Sequence, residues 1–271
     1  MLRCGRFSLP LERPLVMGVV NVTPDSFSDG GKFRDPEAAV SRARAMIDEG
    51  VDLVDVGGES SRPGAAPVDE AEELGRVLPV VEALHGFPVS VDTRRPNVMR
   101  AALAAGASMI NDIQALSAPG ALEAVAASGC GVCLMHKKGE PETMQEDPRY
   151  DDVLAEVRGY LAGRIAACEA AGIARERMAA DPGFGFGKTV QHNLTLLKRL
   201  PELAGLGVPL LVGWSRKSSL GRITGRDTGE RLASSLAAAL LALLGGARIL
   251  RVHDVKETRD LVLVWDAWRK A

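Results

Sequence analysis

The chain is poor in cysteine, with only four in 271 residues. A disulfide framework of the kind that holds small secreted domains together is therefore excluded. Two of the four occur as Cys130-Gly131-Val132-Cys133, but residues three apart on a strand face opposite sides, and no second cysteine pair follows to complete a zinc site. We interpret all four as buried thiols.

The sequence also lacks an excess of charge of either sign and a long apolar run. The formal net charge is −2, so we expect neither nucleic acid nor a membrane as a partner, and basic residues must act locally. The longest apolar run, 236–244, is too short to span a bilayer and is better interpreted as a buried helix. The first residues do not have the layout of a signal peptide. We expect a cytoplasmic protein.

Short β-branched segments alternate with longer amphipathic segments along the whole chain. The strand segments lack regular in/out alternation, which is typical of parallel strands buried on both faces. The eight predicted strands are 16–21, 53–57, 89–92, 109–112, 131–135, 178–181, 210–213 and 249–252. The eight predicted helices are 36–49, 69–84, 96–105, 120–128, 150–171, 190–199, 229–244 and 256–268.

Eight consecutive strand–helix units predict a closed (β/α)8 TIM barrel of the α/β class, forming a single domain over 1–271. The alternative is an open doubly wound sheet. It is disfavoured because no GxGxxG follows the first predicted strand.

Polar residues stand at or just past the end of each predicted strand. They are Asn21, Asp55 with Glu59, Asp92, Asn111, His136 after Met135, Asp181, Lys217, and Arg251 with His253. Any one of them could be a helix cap or a solvated loop residue. In a barrel, however, all strand carboxyl ends meet at one mouth. Their recurrence therefore predicts a ligand-binding mouth.

The segment Asp181-Pro182-Gly183-Phe184-Gly185-Phe186-Gly187-Lys188 carries this pattern most clearly. An apolar strand ends in a carboxylate, and the three glycines that follow let the backbone approach a ligand closely. We interpret this segment as a wall of the site.

The polar residues divide into two chemical sets. A mixed set of donors and acceptors suits a flat heteroaromatic ring with an amide-and-amine edge. Its members are Asp92, Asn111, Asp181 and Lys217. A second set, of cations, hydroxyls and an amide, suits phosphate. Its members are Asn21, Ser61, Arg62, Arg251 and His253.

Seven segments resemble, in order and over nearly the whole chain, those of the dihydropteroate synthase family. They are NVTPDSFSDGG at 21–31, GGESSRPG at 57–64, SVDT at 90–93, IND at 110–112, DPGFGFGK at 181–188, SRKS at 215–218 and RVHDV at 251–255. Three positions depart from the common family pattern: Ser61 replaces threonine, 114–116 replaces Ser-Gly-Gly, and Trp214 is unusually bulky.

The resemblance implies an enzyme of folate biosynthesis that condenses 6-hydroxymethyl-7,8-dihydropterin pyrophosphate with p-aminobenzoate, releasing pyrophosphate. It implies a pterin site of Asp92, Asn111, Asp181 and Lys217, with Met135, Gly213 and Phe186 packed around the ring. It implies a pyrophosphate site of Ser61, Arg62, Arg251 and His253, with Mg²⁺ reached by Asn21.

The resemblance also implies an aminobenzoate pocket lined by Phe27, Pro63 and Ser218, and a homodimer. Asp29, on a closing loop, would face the reacting centre. The residues expected to act in catalysis are Asp29, Arg62, Lys217, Arg251 and His253. The apolar surface of 261–268 could supply the dimer contact.

Three other functions compete with this interpretation. Lys217 could form a Schiff base in an aldolase, but it follows a strand within a polar turn instead of lying on the strand. A pterin-binding methyltransferase domain would have no use for Arg62 or for Arg251 with His253. A non-catalytic pterin-binding module would not need Phe27 and Asp29.

Overall fold

A computed structural model describes residues 1–22, 36–59, 68–140 and 143–271. The chain begins with a hairpin of β1 (Leu2–Cys4) and β2 (Phe7–Leu9), paired antiparallel with Leu2 opposite Leu9. The eight strands that follow are β3 (Leu15–Asn21), β4 (Leu53–Gly57), β5 (Val89–Asp92), β6 (Met109–Asp112), β7 (Gly131–Met135), β8 (Met178–Asp181), β9 (Leu211–Val212) and β10 (Ile249–Val252). Six of the eight have the predicted bounds.

These eight strands form one parallel sheet in the order β8-β7-β6-β5-β4-β3-β10-β9. Its two edges meet at a parallel bridge between Ala180 and Leu210, where the Ala180 amide donates to the Pro209 carbonyl at 3.0 Å. The sheet is thereby a nearly closed barrel, and the predicted TIM-barrel class is confirmed. The seventh strand, predicted over 210–213, is limited to Leu211–Val212, and Leu210 forms the isolated bridge to Ala180 next to it.

Helices surround the barrel. They are α1 (Pro36–Asp48), α2 (Glu70–Ala83), α3 (Pro96–Ala104), α4 (Ala121–Ala126), α5 (Val153–Ala170), α6 (Val190–Lys198), α7 (Ser218–Thr224), α8 (Leu232–Leu244) and α9 (Val255–Lys270), with short 3₁₀ segments at Arg175–Arg177, Leu200–Leu206 and Thr228–Glu230. None of the described helices has the length and apolar character needed to cross a bilayer.

The first residues of α2 and α5 show why the helices predicted over 69–84 and 150–171 are longer than the observed ones. Asp152 accepts hydrogen bonds from the amides of Leu154 and Ala155 at 2.9 and 3.1 Å, so α5 starts at Val153 and not at 150. Asp69 likewise caps α2 through the Glu72 amide at 2.7 Å. An acidic side chain in this position satisfies amides that have no partner within the helix.

The hairpin covers the amino-terminal end of the barrel. Leu2 and Cys4 are fully buried and join a cluster with the inward side chains at the lower ends of the strands, including Met17, Leu53 and Met109. A Cβ atom on Gly131 would lie only 2.7 Å from the Cys4 Sγ atom. Because this end is packed with apolar side chains, the opposite end is left for a site. All four cysteines are buried free thiols, as predicted.

Candidate active site

The carboxyl ends of the strands bring an arginine and three polar side chains into one bonded network. Arg251 Nε donates to Asp55 Oδ2 at 2.6 Å, and Arg251 Nη2 donates to Asp92 Oδ2 at 2.8 Å. Asn111 Nδ2 also donates to Asp55 Oδ2, at 3.1 Å. The network joins residues of β4, β5, β6 and β10. Residues assigned from the sequence to the pterin set and to the phosphate set are therefore direct neighbours.

Asp55 supports this network by accepting hydrogen bonds from both Arg251 and Asn111. Its side chain is fully buried, and its Oδ1 atom is buried without a hydrogen-bond partner. The sequence left open whether Asp55 contacts a ligand or supports other residues. Since Oδ2 is occupied by Arg251 and Asn111, the structure assigns it the supporting position.

Burial controls the charges in the network. Burial raises the pKa of Asp92 to about 7, opposed by the charge of Arg251 and reinforced by that of Asp55. Burial lowers the pKa of Arg251, but the carboxylates of Asp55 and Asp92 outweigh that effect and raise it above its ordinary value. Arg251 is therefore a permanent cation, whereas Asp92 can carry a proton near neutral pH.

The glycine-rich loop after β8 needs glycine for steric reasons. Gly183 and Gly187 have φ angles of +69° and +63°. A Cβ atom on Gly183 would lie 1.9 Å from the His136 carbonyl oxygen, and one on Gly187 would lie 2.1 Å from that of Lys138. Asp181 Oδ1 accepts from the Gly183 amide at 2.7 Å. The loop thus packs directly on the segment after β7 and fixes the carboxylate that ends β8.

Lys188, which the sequence interpretation did not assign, holds this loop from inside. Its Nζ atom lies 2.9 Å from His136 Nδ1 and donates to the carbonyls of Gly183 and Phe186 at 3.0 and 3.1 Å. Burial lowers the pKa of Lys188 to about 7. Burial and the Lys188 charge lower the pKa of His136 to about 3, so the imidazole is neutral at physiological pH. The position of Lys188, directly after the glycine-rich segment, is the sequence feature that could have indicated its role in holding the loop.

Lys217 lies against the same loop from the other side. Its Nζ atom donates to the Phe184 carbonyl and lies 4.2 Å from the centroid of the Phe186 ring. Burial lowers the pKa of Lys217 to about 7, against the charge of Asp181. Burial also raises the pKa of Asp181, and Lys217 opposes that shift. The lysine and the aspartate predicted to hold one ring therefore influence each other's protonation.

Trp214 does not obstruct the site. Its indole is buried and stacks on Phe184 with centroids 4.8 Å apart, and its Nε1 donates to Ser219 Oγ at 2.6 Å. Met135 packs with Phe186 in a small apolar cluster. Gly213 packs against Arg251, since a Cβ atom on Gly213 would lie 3.5 Å from the Arg251 Cβ atom, at ordinary contact distance.

His253 and Arg216 follow the ends of the two neighbouring strands β10 and β9. His253 Nδ1 lies 3.1 Å from Ser215 Oγ. Arg216 has a φ of +56° and forms an ion pair with Asp254, with Nε to Oδ2 at 3.0 Å. This pairing holds the turn that presents Lys217 and Ser218.

Glu59, which the sequence left as a support or a contact, lies at the edge of the described structure. It accepts from Arg94 Nε at 3.3 Å, from Arg95 Nη2 at 3.4 Å and from the Val68 amide at 3.2 Å. Its carboxylate is thus engaged by neighbouring protein groups, which is the position of a support.

A cavity of about 470 Å³ opens beside the network. The predicted site residues that line it are Asn21, Phe186, Lys217, Ser218, Arg251 and His253. The lining residues that the sequence interpretation did not single out include Gln145, Lys188, Arg216, Arg222, Thr228 and Arg231. Five predicted site residues, Phe27, Asp29, Ser61, Arg62 and Pro63, lie outside the described residues.

Comparisons with known proteins agree with this geometry. The family model described as "Pterin binding enzyme" matches residues 17–253. The dihydropteroate synthase of Escherichia coli strain K12 is 56% identical over 263 residues, covering 96% of this chain and 93% of that protein. The chain belongs to the dihydropteroate synthase family.

Solved structures of family members show the same fold. The Burkholderia cenocepacia dihydropteroate synthase, complexed with 7,8-dihydropteroate, has a TM-score of 0.91 and 51% identity, covering 99% of this chain and 96% of that one. The Xanthomonas albilineans dihydropteroate synthase with 4-aminobenzoic acid has a TM-score of 0.92 and 55% identity, covering 97% and 96%. The family resemblance seen in the sequence motifs is confirmed.

Proposed function

We propose that the protein condenses 6-hydroxymethyl-7,8-dihydropterin pyrophosphate with p-aminobenzoate, giving 7,8-dihydropteroate and pyrophosphate in folate biosynthesis. The enzyme is a transferase of the dihydropteroate synthase family. The observation that carries the proposal is the network in which Arg251 bridges Asp55 and Asp92 beside the cavity. It joins Asp92, an acid suited to a pterin edge, directly to a cation suited to pyrophosphate.

The pterin ring would lie between the strand ends and the glycine loop. Asp181, fixed by the Gly183 amide at 2.7 Å, can accept two hydrogen bonds from the N–C–N edge of the ring. Asn111 can donate and accept at the amide edge. Lys217 and Phe186 would contact the remaining edge and face.

Catalysis would depend on charge stabilisation without a covalent nucleophile. When the methylene C–O bond breaks, positive charge develops on the methylene and negative charge on the departing pyrophosphate. Arg251, His253 and Arg62 would stabilise the leaving group. The arylamine nitrogen would then form the new C–N bond and release a proton. Asp29, which lies outside the described residues, would face the developing cation as the family resemblance implies.

The residues present fit a magnesium ion that is carried mainly by the substrate. The described residues contain no cluster of three or more His, Cys, Asp or Glu side chains able to hold a metal. Mg²⁺ is commonly held by one or two protein oxygens together with substrate phosphates. Asn21, at the carboxyl end of β3 and in the cavity lining, would supply such an oxygen. When bound, the ion would neutralise charge on the leaving pyrophosphate.

We further propose that the protein is a homodimer in the cytoplasm. The helices α8 and α9 expose large apolar side chains, among them Leu241 at 53%, Leu263 at 56%, Val264 at 70% and Trp268 at 65%. Exposed apolar surface of this kind favours an interface. Sedimentation of the parent protein and of Val264→Glu tests the dimer, which the substitution should dissociate. A monomeric parent would contradict it.

The function is tested by incubating the protein with the pterin pyrophosphate, p-aminobenzoate and Mg²⁺, and measuring pyrophosphate release. Arg251→Ala and Asp181→Ala should each abolish turnover, the second by losing pterin binding. Arg248→Ala, which changes an arginine directly before β10 and outside the site cavity, is the control. Near-normal turnover in either site variant would refute the assigned role.

A further inference from the structure

The cavity is lined by six cationic side chains, and five of them are already engaged. Arg251 is bound by Asp55 and Asp92. Arg216 is paired with Asp254, and Arg231 donates to the carbonyls of Arg216 and Arg226. Lys188 and Lys217 donate to carbonyls of the glycine loop.

Arg222 is the exception among the described residues. It lines the cavity and its side chain is exposed on α7, with no hydrogen bond or ion pair to any described residue. It lies four residues after Ser218, another exposed lining residue, so both project from the same side of the helix. A guanidinium without a partner among the described residues, one helical turn from a hydroxyl, is suited to a carboxylate, which it can bind through two parallel hydrogen bonds.

The geometry of the second substrate fixes where its carboxylate lies. In p-aminobenzoate the carboxylate is at the opposite end of the ring from the reacting amine. The amine must face the pterin methylene near the barrel network, so the carboxylate must point outward to the rim of the cavity. Arg222 lines the cavity and is exposed, whereas Lys217, five residues earlier in the chain, is partly buried against the glycine loop, so Arg222 is the residue placed to meet an outward carboxylate.

We propose that Arg222 is a specificity-determining residue that binds the carboxylate of the arylamine substrate, so that the enzyme prefers anionic over neutral arylamines. This inference rests on the proposed function. The alternative role for Arg222 is contact with the pyrophosphate of the other substrate, and the two roles affect different kinetic constants.

The experiment compares the parent protein, Arg222→Met and Arg226→Met with p-aminobenzoate and with neutral p-aminobenzamide. Arg226 lies four residues further along, is paired with Glu230 and does not line the cavity, so its substitution is a matched change in charge. Arg222→Met should raise KM for p-aminobenzoate about fivefold. It should leave kcat, the KM for the amide and the KM for the pterin pyrophosphate unchanged.

The difference should shrink at 0.5 M salt, because salt screens exposed charges. An unchanged KM for p-aminobenzoate, an equal rise for the amide, or a rise only for the pterin pyrophosphate would overturn the role of Arg222 and leave the function intact. No pyrophosphate release by the parent protein with any arylamine would instead overturn the proposed function.

Discussion

Replacing Asp55 with asparagine isolates the contribution of one buried charge to the site. The substitution keeps the shape and one acceptor oxygen but removes the negative charge that faces Arg251 Nε at 2.6 Å. Removing one partner of a buried ion pair costs about 3–5 kcal/mol. Because Asp92 still pairs with Arg251, we expect the lower end, about 3 kcal/mol. For a chain of this size that lowers Tm by about 6–12 °C.

The same substitution should weaken the site. With one anchor lost, the guanidinium is free to rotate away from the position facing the leaving group. We expect kcat/KM to fall by at least about tenfold, which corresponds to about 1.4 kcal/mol of transition-state stabilisation. Thermal unfolding and steady-state pyrophosphate release measure the two effects separately.

Asp52→Asn is the matched control. Asp52 lies at the opposite end of β4, where it pairs with Arg13 at 2.6 Å and with Arg259 at 3.3 Å. The Asp52→Asn substitution should lower Tm without changing kcat/KM. If Asp55→Asn left kcat/KM unchanged, or if both variants lost the same activity in proportion to stability, the claim that Asp55 positions Arg251 would be wrong.

Three further predictions concern the glycine loop and its two lysines. Lys188→Met should lower the free energy of unfolding in urea by about 2 kcal/mol, because it leaves buried carbonyls without donors; the exposed Lys138→Met should not. Gly183→Ala should destabilise more than Gly246→Ala by roughly 2 kcal/mol, since both have positive φ but only Gly183 meets a carbonyl at 1.9 Å. The folded pKa of Lys217 is about 7, which is below its ordinary value. Above pH 7 the unfolded chain therefore binds more protons at this lysine than the folded chain does. As a result, Lys217 makes the free energy of unfolding rise with pH in that range. Lys217→Met should remove about 2 kcal/mol of that rise between pH 7 and 9, and an unchanged pH profile would contradict the lowered pKa.

The barrel strands could be predicted from the sequence because their burial on both faces leaves a strong local signal. The ends of several strands could be placed because a polar residue such as Asp92 or Asp181 interrupts an apolar run. The helix α7 was missed because seven residues give too little periodicity, and the hairpin of β1 and β2 because three-residue strands are shorter than the pattern requires.

The composition of the site could be predicted, but the pairing of its charges could not. The sequence places Arg251, Asp92 and Asn111 at strand ends, yet strand order and register decide that Arg251 reaches Asp55 and Asp92. The contact between Lys188 and His136 joins residues 52 apart across two strand ends. Such a contact depends on tertiary packing and leaves no trace in local spacing.

The hairpin of β1 and β2 covers the amino-terminal end of the barrel. Leu2 and Cys4 pack against the lower strand ends, so for the proposed reaction the reactants would arrive, and the products depart, at the carboxyl ends of the strands, where the site cavity lies. If the pterin occupies the proposed position among the strand ends, the bicyclic ring would enter ahead of the arylamine. The finished conjugate would then leave with its most recently added end first.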